Sequence, residues 1–322
     1  MRIRVLIAVL ALMAPSSVGA AVVQSFEAAI DCDVAQRQAD SGDAAAYVDL
    51  GLCHLRGEGR DPDVKTGLAW LRKGVAGGDT DAMVELGNLY FDGADGVAAD
   101  RRAATKLYAR AAALGDPNAM YNLGVLNEGG GGAPARPRSA LSWFLKSAEA
   151  GSARGAFAAG EYYLDGYGAR VDVAKGVLML QRAIEMGSPE AMNSLGHLHA
   201  KGRGVPRDEA KALRLYTAAA NNDLAAGMSS LGVAHHNGEG APVNYTLAMR
   251  WFQMAAERGH LEAWYSLGIM CERGHGVRAD LDLALAMYRR AAESPDADLR
   301  QRAQEAVDRL EGLDDDEDGR IG

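Results

Sequence analysis

Cysteine, aromatic side chains and positive charge are all in short supply in this chain of 322 residues, and each shortage narrows what it can be. Three cysteines leave room for one disulfide and one spare thiol. Aromatic residues make up 6% against a hydrophobic share of 48%, while alanine and glycine are abundant, a mixture that suits helices packed closely through small residues. The formal charge is -9 and no run of Lys or Arg stands out against it, so the counterion release that drives nucleic-acid binding has no source. Catalytic signatures are missing as well: no Gly-x-Ser-x-Gly, Ser-x-x-Lys, His-Glu-x-x-His, Walker-type Gly-Lys-Ser/Thr or Gly-x-Gly-x-x-Gly occurs. These absences point away from an enzyme and away from a cofactor.

Long apolar runs are confined to the beginning. Arg2 and Arg4 precede an apolar stretch from Val5 to Ala14, followed by Pro15, Ser16, Ser17 and the small residues Val18-Gly19-Ala20-Ala21. That order predicts a secretory signal peptide over residues 1–20, and hence a periplasmic or secreted protein. The apolar stretch falls well short of the roughly 20 residues a spanning helix needs, and no later segment is continuously apolar, so no membrane span is expected. Loss of Arg2 and Arg4 would take the charge from -9 to -11.

What the chain has in abundance is internal repetition. Gly51, Gly87, Gly124, Gly160, Gly196, Gly232 and Gly268 follow one another at 36, 37, 36, 36, 36 and 36 residues, six preceded by Leu and the fourth by Ala159. Five residues before each stands Ala or Gly, and six after each a further glycine, from Gly57 to Gly274. The later glycine reads as the end of a first helix, taking positive φ. An N-cap then opens a second helix at Asp63, Asp100, Asp172, Asp208, Asn244 or Asp280. Four residues inside that helix a small residue marks a close crossing, and near its middle lies a large apolar pair such as Trp143-Phe144 or Leu215-Tyr216. Repeat 3 is the loosest: its loop runs Gly129-Gly130-Gly131-Gly132, Arg136 holds the cap position, and a joint between two halves is expected there.

This pattern, Ala-x-x-x-Leu-Gly, Gly-x-Gly, Asp, then Trp/Leu-Tyr and Ala-Ala before a closing Gly, resembles the Sel1-like repeat, a relative of the tetratricopeptide repeat, from residue 42 to about 294. The resemblance implies an all-α protein, a right-handed α-solenoid of antiparallel helical hairpins that binds a protein or peptide in its groove. In bacteria it implies an adaptor in envelope signalling or polysaccharide export, or alternatively a secreted factor that contacts host proteins. One branch of the family is linked to β-lactam binding and hydrolysis, but it carries paired cysteines in nearly every repeat, and this chain has three in all. Departures are Ala159 for Leu, Arg136 for the cap Asp and Pro295 for the last closing Gly. The expected layout is a capping helix over 21–41, seven repeats over 42–294, a second capping helix over 295–312 and an acidic disordered tail over 313–322.

The tetratricopeptide relationship places the first helix of each hairpin on the groove. Positions three and two before the repeat glycine, and one and four after it, then offer Glu85, Asn88, Tyr121, Asn122, Phe157, Glu161, Asn193, His197, His236 and Tyr265, with the three aromatics Tyr121, Phe157 and Tyr265 as anchors. His54, His199 and His235 share one column, but neighbouring repeats stand roughly 8 to 10 Å apart, too far for one metal ion. No metal is expected from the histidines. Asp314, Asp316 and Asp318 match the opening of a calcium loop whose closing glutamate is missing. Cys32 and Cys53 lie equidistant from a turn at Gly42, at one level of an antiparallel hairpin; a disulfide is expected between them, the alternative being two buried thiols.

Overall fold

The computed structural model describes residues 30–57, 61–93, 97–129 and 134–318, so the expected signal peptide lies outside the described residues. Among those residues there are sixteen helices and no strand. A lone helix, α1 (Cys32–Asp40), precedes seven hairpins: α2 (Ala46–Arg56) with α3 (Val64–Gly77), α4 (Thr80–Asp92) with α5 (Arg101–Ala113), α6 (Pro117–Asn127) with α7 (Pro137–Glu149), α8 (Ala153–Asp165) with α9 (Val173–Glu185), α10 (Pro189–Lys201) with α11 (Glu209–Asn221), α12 (Ala225–Asn237) with α13 (Tyr245–Glu257), and α14 (Leu261–Arg273) with α15 (Leu281–Ala291). Helix α16 (Ala297–Asp318) closes the chain. The all-helical repeat fold read from the periodicity is the fold observed.

Each hairpin closes around its glycine, because the helices approach too closely there for any side chain. A Cβ on Gly124 would lie 2.3 Å from Phe144 Cε1, and one on Gly232 2.6 Å from Phe252 Cε1. The same place is taken by Leu71, Tyr108, Leu180, Tyr216 and Tyr288 in the other repeats. All seven side chains belong to the apolar pair of the second helix, and all are buried. The loop between the helices is fixed twice. Its cap residue donates a backbone N–H to the carbonyl three residues past the repeat glycine, at 2.7 to 3.0 Å in every repeat from Asp63–His54 to Asp280–Cys271. Its side chain then accepts the third free N–H of the new helix, as Asp208 does from Lys211 at 2.8 Å. Arg136 keeps the backbone bond, to Asn127 at 2.7 Å, and makes no side-chain cap.

The described residues form two compact units, one ending at Ala191 and one beginning at Met192. The division does not fall at the glycine-rich loop of repeat 3, where the sequence suggested a joint. Helices α6 and α7 on either side of that loop stay locked by the Gly124–Phe144 contact. In the first unit the apolar residues gather in separate clusters around Tyr47 and Leu50, Leu71 and Leu86, Tyr108 and Leu123, and Phe144 and Tyr162. In the second, one continuous cluster runs from Ala212 through Phe252 and Tyr288 to Leu310.

The ends differ from each other and, at one of them, from expectation. Cys32 of α1 and Cys53 of α2 are joined, with the Cα atoms 5.8 Å apart, and Cys271 is a free buried thiol whose pKa burial pushes up to about 11. At the other end α16 buries Leu299, Ala303, Val307 and Leu310, and ties itself to α14 through Arg302–Glu262 and Arg309–Glu272. It continues past the expected end at 312. No proline interrupts the following run, and Gly312 does not take the positive φ that ends other helices, so the backbone stays helical to Asp318. Asp314, Asp316 and Asp318 therefore stand on helical backbone and not in the loop a calcium site needs.

Candidate protein-binding groove

The first helices of the hairpins present the predicted columns, and in the second unit these columns line one recess. It has a volume of about 730 Å3 and is bordered by α10, α12, α14 and the start of α11. Asn193 and His197 come from α10, Ser229, Ser230 and Val233 from α12, and Glu262 and Ser266 from α14. These are mainly the columns flanking the repeat glycines, one turn apart on each helix and one repeat apart between helices.

A chain of hydrogen bonds runs along the wall of this cleft. The Tyr216 hydroxyl lies 3.0 Å from His197 Nδ1, His197 Nε2 lies 3.3 Å from Ser230 Oγ, and Ser230 Oγ lies 2.9 Å from Asn193 Oδ1. One proton arrangement satisfies every step: Tyr216 donates to Nδ1, Nε2–H donates to Ser230, and Ser230 donates to Asn193. Desolvation in the cleft, and then Lys201, hold the His197 pKa below its usual value against the opposing pull of Glu239, which favours this neutral ring. Burial, with Glu239 adding to it, pushes the Tyr216 hydroxyl up to about 12. The hydrogen-bond partner behind the His197 ring is the neutral Tyr216 hydroxyl, where the histidine of a Ser-His-Asp triad has a carboxylate.

The other predicted residues fall in different places. His236 borders a smaller recess of about 110 Å3, and its Nε2 lies 3.0 Å from His275 Nδ1 while Tyr245 stacks on the His275 ring at 4.3 Å. At 39 residues apart, these histidines do not share a column of the repeat. Tyr265 packs 5.4 Å from the buried Tyr288 ring and is covered by Arg302 of α16 at 5.1 Å, so the cleft is lined by its neighbours Glu262 and Ser266 instead. Within the first unit, Glu85 and Asn88 border a pocket of about 460 Å3. Asn88 Oδ1 accepts from the Tyr108 hydroxyl at 2.7 Å and from Asn122 Nδ2 at 3.1 Å, linking α4 to α6. Tyr121 packs 5.5 Å from Phe144 under the Arg154 guanidinium, and Phe157 and Glu161 are half-buried. Two of the three proposed anchors are thus already in contact with core rings.

Residues that the groove columns did not include complete the main cleft. Lys201, Arg207, Glu209, Glu239 and His260 come from helix ends and hairpin loops. Arg207 pairs with Glu209, whose other carboxylate oxygen accepts from Gly240 N–H at 3.3 Å, and both contacts lower the Glu209 pKa. Glu209 precedes Gly240 by 31 residues, an offset that the glycine period does not reveal.

The comparisons with known proteins agree with this architecture. The Sel1 repeat family model matches residues 44–79, 80–116, 117–152, 153–188, 189–224, 225–260 and 261–296. Among solved structures, c5321 of uropathogenic Escherichia coli, a protective antigen with an SLR fold, is 30% identical with a TM-score of 0.65 over 82% of this chain and 56% of its own. The chain thus spans little more than half the length of that relative. A Sel1 repeat protein of Oxalobacter formigenes is 21% identical with a TM-score of 0.64, over 83% of this chain and 99% of its own. No curated protein sequence matches. With seven matched repeats covering most of its length, the chain belongs to the Sel1 repeat family, whose members are generally non-catalytic scaffolds for protein interaction.

Proposed function

We propose that this chain is an exported scaffold that holds an extended segment of a protein partner in the cleft of its second unit. The observation that carries this reading is the row of Asn193, His197 and Ser230 along a cleft of about 730 Å3. An extended peptide offers a backbone N–H and C=O at every residue, and a row of side-chain donors and acceptors meets them without regard to sequence. The charges around it, Lys201 and Arg207 with Glu209, Glu239 and Glu262, supply the selection. Export is supported by the signal-like residues 1–20 and by the Cys32–Cys53 bridge, which suits an oxidising compartment. The description of the Escherichia coli relative as a protective antigen supports it too. An envelope signalling or polysaccharide-export component is the kind of partner this setting favours.

Selection of displayed peptides on the protein tests the cleft. Enriched peptides should lose about tenfold or more in affinity when Asn193 and Ser230 are both replaced by Ala, the loss expected for one or two hydrogen bonds. Failure to enrich any peptide, or binding indifferent to that double change, overturns the reading. Fractionation of the producing cells into cytoplasm, periplasm and medium tests export separately.

A further inference from the structure

A second recess, in the first unit, has a different chemistry. It has a volume of about 310 Å3, bordered by the start of α5, the end of α6 and residues 134–136 just before α7, and is lined by Arg101, Arg102, Thr105, Leu123, Leu126, Asn127, Pro134 and Arg136. Three arginines line it, with no carboxylate among its described lining residues, in a chain whose net charge is -9. Among the described residues none of the three forms an ion pair, whereas Arg207, Arg258, Arg289, Arg290, Arg302 and Arg309 all do.

Two acids beside these lining residues in the sequence, Asp100 and Glu128, already have partners. Asp100 caps α5 by accepting from Ala103 N–H at 2.9 Å, and Glu128 accepts from the Tyr162 hydroxyl at 2.8 Å. Arg101 is the most telling of the three. Its guanidinium is held 4.8 Å over the Phe91 ring, and its Nη1 is sealed from solvent without a hydrogen-bond partner. A buried donor of this kind is costly unless an acceptor arrives, and a guanidinium presents parallel N–H groups that match the paired oxygens of a carboxylate or phosphate. Arg136 adds to the field. It stands at the cap of α7, where six other repeats place Asp or Asn, so the positive end of that helix keeps its charge.

We propose that Arg101, Arg102 and Arg136 form a site for a small organic anion, an oxyanion group carried on an apolar body. The arginines take the oxyanion, and the apolar lining residues Leu123, Leu126 and Pro134 take the body. The site lies off the columns that line the cleft of the second unit, so it is a separate binding function and does not depend on the peptide reading.

Calorimetric titration of the full chain with phenyl phosphate, 3-phenylpropionate and the neutral 3-phenylpropanol tests it. At least one anion should bind saturably at one site while the alcohol does not, and the tighter of the two anions tells whether the natural ligand bears a phosphate or a carboxylate. Arg101→Met and Arg136→Asp should each weaken binding by about tenfold or more, the worth of one charge-assisted bond. Arg136→Asp supplies the cap found in the other repeats, so its fold is retained even if Arg101→Met disturbs the Phe91 contact. Binding of the alcohol as tight as the anions, absence of saturable binding, or affinities unchanged by Arg136→Asp would overturn the proposal.

Discussion

The two units are built from the same hairpin and differ in what surrounds it. The first has its apolar residues in separate clusters and is closed at its free end by the Cys32–Cys53 bridge. The second has one continuous apolar cluster, is closed by the ion-paired helix α16, and carries the histidines His197, His235, His260 and His275. A repeat fixes the backbone and the position of each column, and the occupant of the column decides the chemistry. Both units tie neighbouring first helices through such columns, Asn88–Asn122 in the first and Asn193–Ser230 in the second, but only the second carries a histidine in the row and borders the recess of about 730 Å3.

The largest difference between the units should appear on reduction. A loop closed over 21 residues contributes about 3 kcal/mol in the chain-entropy view, and that stability belongs to α1 and α2 alone. Cys53→Ser should therefore raise hydrogen exchange in α1 and α2 and leave α12 to α15 unchanged. Loss of protection throughout would show that the units are not energetically separate. Next in size is overpacking at the hairpin glycines. Gly124→Ala puts a methyl 2.3 Å from the rigid Phe144 ring and should cost about 2 kcal/mol. Gly160→Ala meets Leu180 at 3.1 Å and the Gly176 carbonyl oxygen at 3.3 Å, a lesser crowding partly offset by about 1 kcal/mol of helix propensity, so urea denaturation should find a smaller loss than at Gly124.

Acid should separate the units in the opposite sense. Desolvation is the leading cause of lowered pKa values at His197, His235, His260 and His275, and His236 and Arg273 add to it at His275. Lowered basic groups take up their proton in the unfolded chain first, so the unfolded state binds more protons and stability falls as pH drops through the unfolded value of about 6.5. Above that pH the contribution is whole. Exchange measured between pH 7.5 and 5 should therefore loosen the second unit, and equal loosening of the first would break the contrast.

How much of this was readable in the sequence follows from the period. Residues that act within one hairpin were legible: the six Asp and Asn caps, the repeat glycine under its aromatic or leucine, and the Asn222-Asp223 turn, where Asp223 takes a φ of 62° in place of glycine. Residues that meet between hairpins were not, because they stand at offsets near the period but not equal to it. His236 and His275 are 39 apart, Asn193 and Ser230 37, and Asn88 and Asn122 34. A search for partners at one period plus or minus a helical turn would have found them. The expected anchors Tyr121 and Tyr265, three residues before the glycine, lean onto the ring of their own second helix, a contact the column pattern does not reveal. Replacing either with Ala should lower stability as well as any binding. The arginine recess was invisible for the same reason: Arg101 and Arg102 lie far from Arg136 in the chain, and no run of basic residues announces them.

The smallest expected effect is also the one that joins the two properties of the first unit. Helix α7 is a second helix of a hairpin that starts on an arginine, and no side chain accepts the free N–H groups of its first turn. In the equivalent place Asp172 accepts from Lys175 N–H at 3.0 Å and Asp208 from Lys211 N–H at 2.8 Å. Arg136→Asp should supply the same bond, because the backbone at Arg136, with φ of -128° and ψ of 69°, is close to that of the Asp100 cap at -137° and 87°. The new cap, helped by a negative charge at the positive end of the helix, should stabilise the first unit by about 1 kcal/mol. The same change removes one of three cations from the recess, so stability should rise while anion affinity falls. A purely structural role for Arg136 predicts that stability falls instead, and a thermal melt of the first unit's exchange-protected amides distinguishes the two.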